Sequence, residues 1–313
     1  MRPTLGVLIT YFNEQELLRE CLDSLLSQRE EPDEILIYDD ASVDPVEAYV
    51  PKGNRIRIIR GDVNKGPGHG RNVLLRASQS DYIHFHDADD LFHPDWCQRV
   101  RDAVGEAGAD VVFTEVSSRG EGGLQCKRVM GLDRLVSEGD LIRFCIRGAI
   151  LTSAGTYRRS AVLAIGGYRE ALWQTEDFDF HIRLAASNPR YTVITEPLVT
   201  RLRVGRSKNQ AEVWGCALET ISSAAQELPR QYRPDLAERA AGVGSILFQL
   251  GLRVKARQAF RLADELGPPT LKSRGPLYRR IARHLGPEWA EWAGWAWRRL
   301  VPSRVRGIVQ PRQ

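Results

Sequence analysis

The feature that most constrains the fold is the alternation, over the first 116 residues, of short apolar runs with amphipathic stretches. Residues 5–10 form an apolar strand run. Across residues 14–28, Leu17, Leu18, Cys21, Leu22, Leu25 and Leu26 recur at helical spacing. Residues 34–38, 55–59, 81–86 and 109–116 read as further strands. A Gly/Pro loop at 64–70 leads to a helix over 71–78, and Pro94 opens another helix at its favoured first turn. Strands separated by helices require right-handed crossovers. The expected class is therefore α/β, with a mostly parallel central sheet and helices on both faces.

The pattern then changes. A hairpin is expected around 120–130, helices near 133–145 and over 176–186, and a strand-like run over 191–203. Beyond Lys208 nearly everything reads helical, broken at Pro229, Pro234, Pro268, Pro269, Pro276 and Pro287. This places a domain over 1–207 and a helical C-terminal region over 208–313.

A hydrophobic content of 42% and a charged content of 27% fit a globular chain and exclude low-complexity disorder. The net charge of +4 hides a division. From Gly251 onward, 14 Lys and Arg stand against 4 Asp and Glu, which leaves 30 basic against 36 acidic residues in the body. An acidic body argues against nucleic acid as a partner. Cys21, Cys97, Cys126, Cys145 and Cys216 are scattered without CxxC or zinc-like spacing, as suits a reducing compartment. No apolar run approaches the length of a membrane span and no signal-like segment precedes the first strand. A cytoplasmic protein is expected.

Ligands of open α/β sheets bind at the carboxyl ends of the strands. Polar residues gather there: Thr10 and Asn13 after the first strand, Asp39 and Asp40 after the second, and Asp87, Asp89 and Asp90 after the fourth. Asp and Asn are common turn formers, which explains any single cluster. Two carboxylate-rich ends in one sheet repel each other, and a hard divalent cation would offset that repulsion.

Several segments occur in order: Thr10-Tyr11-Phe12-Asn13-Glu14, Tyr38-Asp39-Asp40-Ala41-Ser42, Gly70-Arg71-Asn72, His86-Asp87-Ala88-Asp89-Asp90, Gly166-Gly167-Tyr168 and Glu176-Asp177. Over residues 4–205 the set resembles the family 2 glycosyltransferases of the GT-A fold. The resemblance implies a nucleotide-binding half over 1–116 and an acceptor-binding half over 117–207. It implies an inverting, metal-dependent transfer of a sugar from a nucleotide diphosphate, taken as a UDP-sugar, to a hydroxyl of a glycan or lipid-linked acceptor. Thr10, Phe12, Asn13, Asp39, Asp40, Arg71 and Asp87 would hold the nucleotide, with Asp40 on the base and Phe12 stacking on it. Asp89, with Asp87, would bind Mn²⁺ or Mg²⁺. Asp177 would be the general base, and Trp173 and Glu176 would face the acceptor. Arg203 and Arg206 would contact phosphate. Asp179 falls at helical spacing with Glu176 and Arg183, which reads as a surface ion-pair face.

Other readings compete. Gly66-Pro67-Gly68-His69-Gly70 lacks GxGxxG spacing and follows the third strand, so a dinucleotide site is not expected. A non-catalytic carbohydrate- or partner-binding protein on the same scaffold is the main alternative. His84 and His86 share a strand face, and His181 is a conceivable metal ligand. Trp289, Trp292, Trp295 and Trp297, followed by Arg298, Arg299, Arg304 and Arg306, suit either a peripheral contact with an anionic membrane on its inner face or a helix docked by its tryptophans.

Overall fold

The structure is a computed structural model that describes residues 2–51, 55–119, 126–148, 150–202, 209–267, 269 and 275–300, the side chains of Cys126 and of 297–300 excepted. It divides into two compact units, Met1–Arg206 and Ser207–Gln313.

In the first unit, β1 (Leu5–Tyr11) buries successive residues of both faces, Leu5 through Ile9, as a central strand must. It pairs in parallel with β2 (Glu34–Asp39) on one side and β4 (Tyr82–Asp87) on the other, and β3 (Ile56–Arg60) lies beyond β2. Helix α1 (Gln15–Leu26) connects β1 to β2 and buries Leu18, Cys21, Leu22 and Leu25, the periodic positions of the sequence. Helix α2 (Pro67–Ala77) carries the chain back from β3 to β4. The order β3-β2-β1-β4 therefore reverses between β1 and β4, which makes the carboxyl ends of those two strands the switch point of the sheet.

Helix α2 starts four residues earlier than expected. Pro67 occupies the first turn, where its missing N–H costs nothing, and Gly66 before it takes φ 84°. The glycines that read as loop serve close approach. A Cβ on Gly70 would lie 2.7 Å from the Tyr38 ring, and one on Gly68 would touch Tyr168 and Glu176.

Two short strands were not legible in the pattern. β5 (Asp90–Phe92) follows β4 after one turn, and after α3 (Trp96–Ala107) the chain enters β6 (Val111–Arg119). β7 (Cys126–Arg128) pairs antiparallel with β6, as the expected hairpin requires. The single helix expected over 133–145 is two, α4 (Asp133–Glu138) and α5 (Leu141–Arg147), parted at Gly139 in the left-handed region. β8 (Gly155–Arg158) runs antiparallel between β4 and β6, followed by α6 (Arg159–Ala164), α7 (Glu176–Ala186) and β9 (Tyr191–Arg201). β9 pairs in parallel with β6 and antiparallel with β5. The fold is α/β, with a mostly parallel sheet and a helical C-terminal part.

His84 and His86 are core residues. The His86 ring stacks on Phe92 at 3.8 Å and His84 packs on Trp96 at 4.5 Å, and burial drives both below the usual histidine pKa. The second unit contains α8 (Gln210–Glu227), α9 (Arg233–Gln249), α10 (Arg253–Leu266), α11 (Pro276–Leu285) and α12 (Pro287–Leu300). Among the described residues no helix is long and apolar enough to cross a membrane.

Candidate active site

The strand ends at the switch point assemble the expected residues. Thr10 stands opposite Asp87 in the β1–β4 register. Phe12 is 45% exposed, so it is a solvent-facing ring and not a core residue. Asn13 adopts φ 53°, a conformation Asn tolerates, and ties down the loop after β2: its N–H donates to Ser42 Oγ and its Oδ1 accepts from the Val43 N–H.

Asp39 and Asp40 point to different tasks. Asp39 is fully buried; its carboxylate accepts from the Ser42 and Val46 N–H groups and pairs with Arg60. Asp39 thereby ties β2 to the loop that follows it and to Arg60. Asp40 Oδ1 and Oδ2 accept the Lys65 and Gly66 N–H groups at 2.9 and 2.8 Å, anchoring the entry to α2. Each carboxylate oxygen can accept a second hydrogen bond. Trp173, 46% exposed, lies against Gly66, so this anchored loop and an open indole share one wall.

Arg71 is neither a solvated arginine nor one extended toward a ligand. It is buried, and it bridges Asp87 Oδ1 through Nη2 at 2.8 Å and Glu176 Oε1 through Nη1 at 2.6 Å. Its guanidinium also lies 5.1 Å from the Tyr168 ring centre. Glu176 is thus paired with Arg71 in the interior. Next to Arg71, the Asn72 amide accepts from the Tyr168 N–H and donates to the Tyr168 carbonyl, both at 2.8 Å. A side chain on Gly167 would come within 2.4 Å of Asn72 Oδ1. The Gly70-Arg71-Asn72 and Gly166-Gly167-Tyr168 segments are therefore one docked surface. Sequence reading grouped them by order and missed this contact.

That surface supports the start of α7. Tyr168 stacks on Phe180 at 4.3 Å, and Asp179 pairs with Arg169 and Arg183 at 2.9 and 2.7 Å. Asp179 is buried, so the expected surface ion-pair face is an internal brace and does not include Glu176. Thr175, a β-branched residue at φ 58°, turns the chain into α7 at a local cost in strain. Asp177 follows, half-buried, with Oδ1 accepting the Phe178 N–H. Burial, and then the neighbouring Glu176 carboxylate, push its pKa up to about 7, opposed by Arg71. His181 is not a metal ligand: Nδ1–H donates to the Asp177 carbonyl, Nε2 accepts from the Tyr157 hydroxyl, and burial lowers its pKa to about 3.

Asp87 and Asp89 remain partly exposed, whereas Asp90 turns inward and accepts from Ser153 Oγ at 2.6 Å. Burial, and then Asp87, push the Asp90 pKa up to about 8. No three His, Cys, Asp or Glu side chains among the described residues form a metal cage by themselves. Two hard carboxylates on one turn fit a divalent ion that completes its shell with substrate phosphates. Arg203 and Arg206 lie outside the described residues.

Residues 6–165 match the profile of Glycosyl transferase family 2. The chain belongs to this family. As a family 2 glycosyltransferase it is 28% identical over 200 residues to an uncharacterized glycosyltransferase of Haemophilus influenzae, covering 62% of this chain and 66%, just under two thirds, of that relative. In fold it is similar to Staphylococcus aureus TarS 1–349 in complex with UDP-GlcNAc, with TM-score 0.72, 19% identity and coverage of 96% of this chain and 93% of that one. It is also similar to the mannosyltransferase PcManGT of Pyrobaculum calidifontis in complex with GDP-Man and Mn²⁺, with TM-score 0.59, 17% identity and coverage of 98% and 83%.

Proposed function

We propose that this glycosyltransferase moves a sugar from a UDP-sugar to a hydroxyl of a glycan or lipid-linked acceptor, with inversion, using Asp177 as general base. The observation that carries the reading is the environment of Asp177. A base is most useful when its pKa lies near the working pH, and burial beside Glu176 brings this carboxylate to about 7. Asp177 accepts the proton of the acceptor hydroxyl as its oxygen bonds to the anomeric carbon. The bond from that carbon to the diphosphate breaks, and the nucleoside diphosphate leaves. One base on the face opposite the leaving group requires no second nucleophile, hence inversion.

Asp89, with Asp87, would hold Mn²⁺ or Mg²⁺, which supplies Lewis-acid neutralisation of charge on the diphosphate. The two carboxylates suit such an ion, and PcManGT has its own complex with Mn²⁺. Thr10, Phe12 and Asp40 form the proposed nucleoside wall: Phe12 offers an exposed ring, and Asp40 retains acceptor capacity for the imide N–H of uracil. The choice of UDP is supported by the UDP-GlcNAc complex of TarS on the same fold. Trp173 is the proposed platform for the acceptor sugar, and Arg203 and Arg206 the proposed phosphate contacts. Arg71 is proposed to act through Asp87 and Glu176, not by touching the donor.

The test is a panel of UDP-, GDP- and dTDP-sugars assayed for hydrolysis and binding with Mn²⁺, with Mg²⁺ and with chelator. The expected result is metal-dependent turnover of a UDP-sugar that Asp89→Ala abolishes. Metal-independent glycan binding without turnover of any donor would instead favour a binding protein on this scaffold.

A further inference from the structure

Helices α11 and α12 meet at Gly286, which takes φ 93°. In α11, Leu277, Ile281 and Leu285 fall four residues apart and form one stripe. Leu277 and Leu285 are 68% and 64% exposed, and no residue of α11 is buried. The stripe continues on α12: Ile281, Leu285, Trp289, Trp292, Ala293 and Ala296 line one groove that is almost wholly apolar. Trp289 is 62% exposed, although a tryptophan holding its helix in place would be covered. The holding is done by other residues. Ala290 and Glu291 are buried, Trp292 packs edge-on against Phe248 at 5.9 Å and under Arg253, and Glu291 accepts from the Tyr278 hydroxyl and from the Gln249 amide.

Arg280 and His284, both exposed, border one edge of this stripe, whereas Arg279 and Arg283 fall on the far side of α11, which contains no acidic residue. Apolar and aromatic side chains flanked by cations on one helix face are the pattern of an interfacial helix. Tryptophan sits at headgroup level, and arginine meets anionic headgroups. A second copy of the chain is a poorer occupant, because a two-fold contact would set these cations against themselves.

We propose that the α11–α12 face is a docking surface for an anionic lipid bilayer, with Leu277, Leu285 and Trp289 entering the headgroup region and Arg280 contacting the headgroups. The proposal does not depend on the catalytic reading.

The test is co-sedimentation of the full chain with phosphatidylcholine vesicles and with mixed phosphatidylcholine–phosphatidylglycerol vesicles, at low and high salt. The expected result is binding to the anionic vesicles that salt weakens, with little binding to the neutral ones. Trp289→Glu and, separately, Arg280→Glu are each expected to weaken binding at least about tenfold. Both positions are exposed, and far-UV circular dichroism checks that each variant stays folded. Equal partition into both vesicle types, no partition at low salt, or unchanged binding of folded Trp289→Glu would overturn it. So would light scattering that shows a dimer broken by Trp289→Glu without vesicle affinity.

Discussion

Arg71 and Glu176, 105 positions apart in sequence, meet at 2.6 Å in the interior, and the other arm of the same guanidinium holds Asp87 at 2.8 Å. One buried cation thus joins the end of β4 to the start of α7, the two places where the proposed metal and base reside. Removing one member of a buried pair leaves an uncompensated charge. Arg71→Met is therefore expected to lower stability by about 3–5 kcal/mol. Urea unfolding of Arg71→Met, Glu176→Gln and the double variant checks this. The double variant is expected to recover part of the loss, and additive losses would show that the pair is not coupled.

The same arrangement sets a pH dependence. Asp177 works as a base only when ionised, and its pKa lies at about 7, so kcat/KM is expected to fall as pH drops through 7. Glu176 raises that value and Arg71 lowers it. Glu176→Gln should therefore move the acid limb to lower pH, and Arg71→Met to higher pH. Profiles taken with a saturating metal concentration distinguish the two directions.

Gly167 tests the docked surface. A Cβ there would lie 2.4 Å from Asn72 Oδ1, and φ is 68°. Strain and overpacking together predict a loss of about 2–4 kcal/mol for Gly167→Ala. Thermal unfolding beside Gly166→Ala, where nothing lies within 4 Å of the added carbon, separates the contact from the backbone effect.

Phe12 tests the nucleoside wall. Because the ring is exposed, Phe12→Ala should leave stability nearly unchanged. A lost stacking contact with a base predicts a fall in UDP affinity of roughly 1–3 kcal/mol, read by calorimetry.

The parts of this site that sequence made legible are those encoded locally. Periodicity located β1, β2 and β4, the bounds of α7, and hence which carboxylates end strands. β5 and β8 are three and four residues long, too short to show a period, and their antiparallel pairing comes from chain far away. The start of α2 was hidden because glycine and proline signal loops, although here they permit close contact with Tyr38 and Tyr168. The orientations of Asp39 and Glu176 depend on Arg60 and Arg71, and composition carries no record of such partners.

The most direct measurement of the central claim is sugar transfer and nucleotide affinity in Asp177→Asn, which keeps the shape of the side chain and removes its charge. With a UDP-sugar, acceptor and divalent metal, transfer is expected to fall by about 10²- to 10⁴-fold. UDP affinity measured on the same preparation should stay close to that of the unmodified chain. Transfer at the unmodified rate in that variant would contradict the account and remove Asp177 as the base.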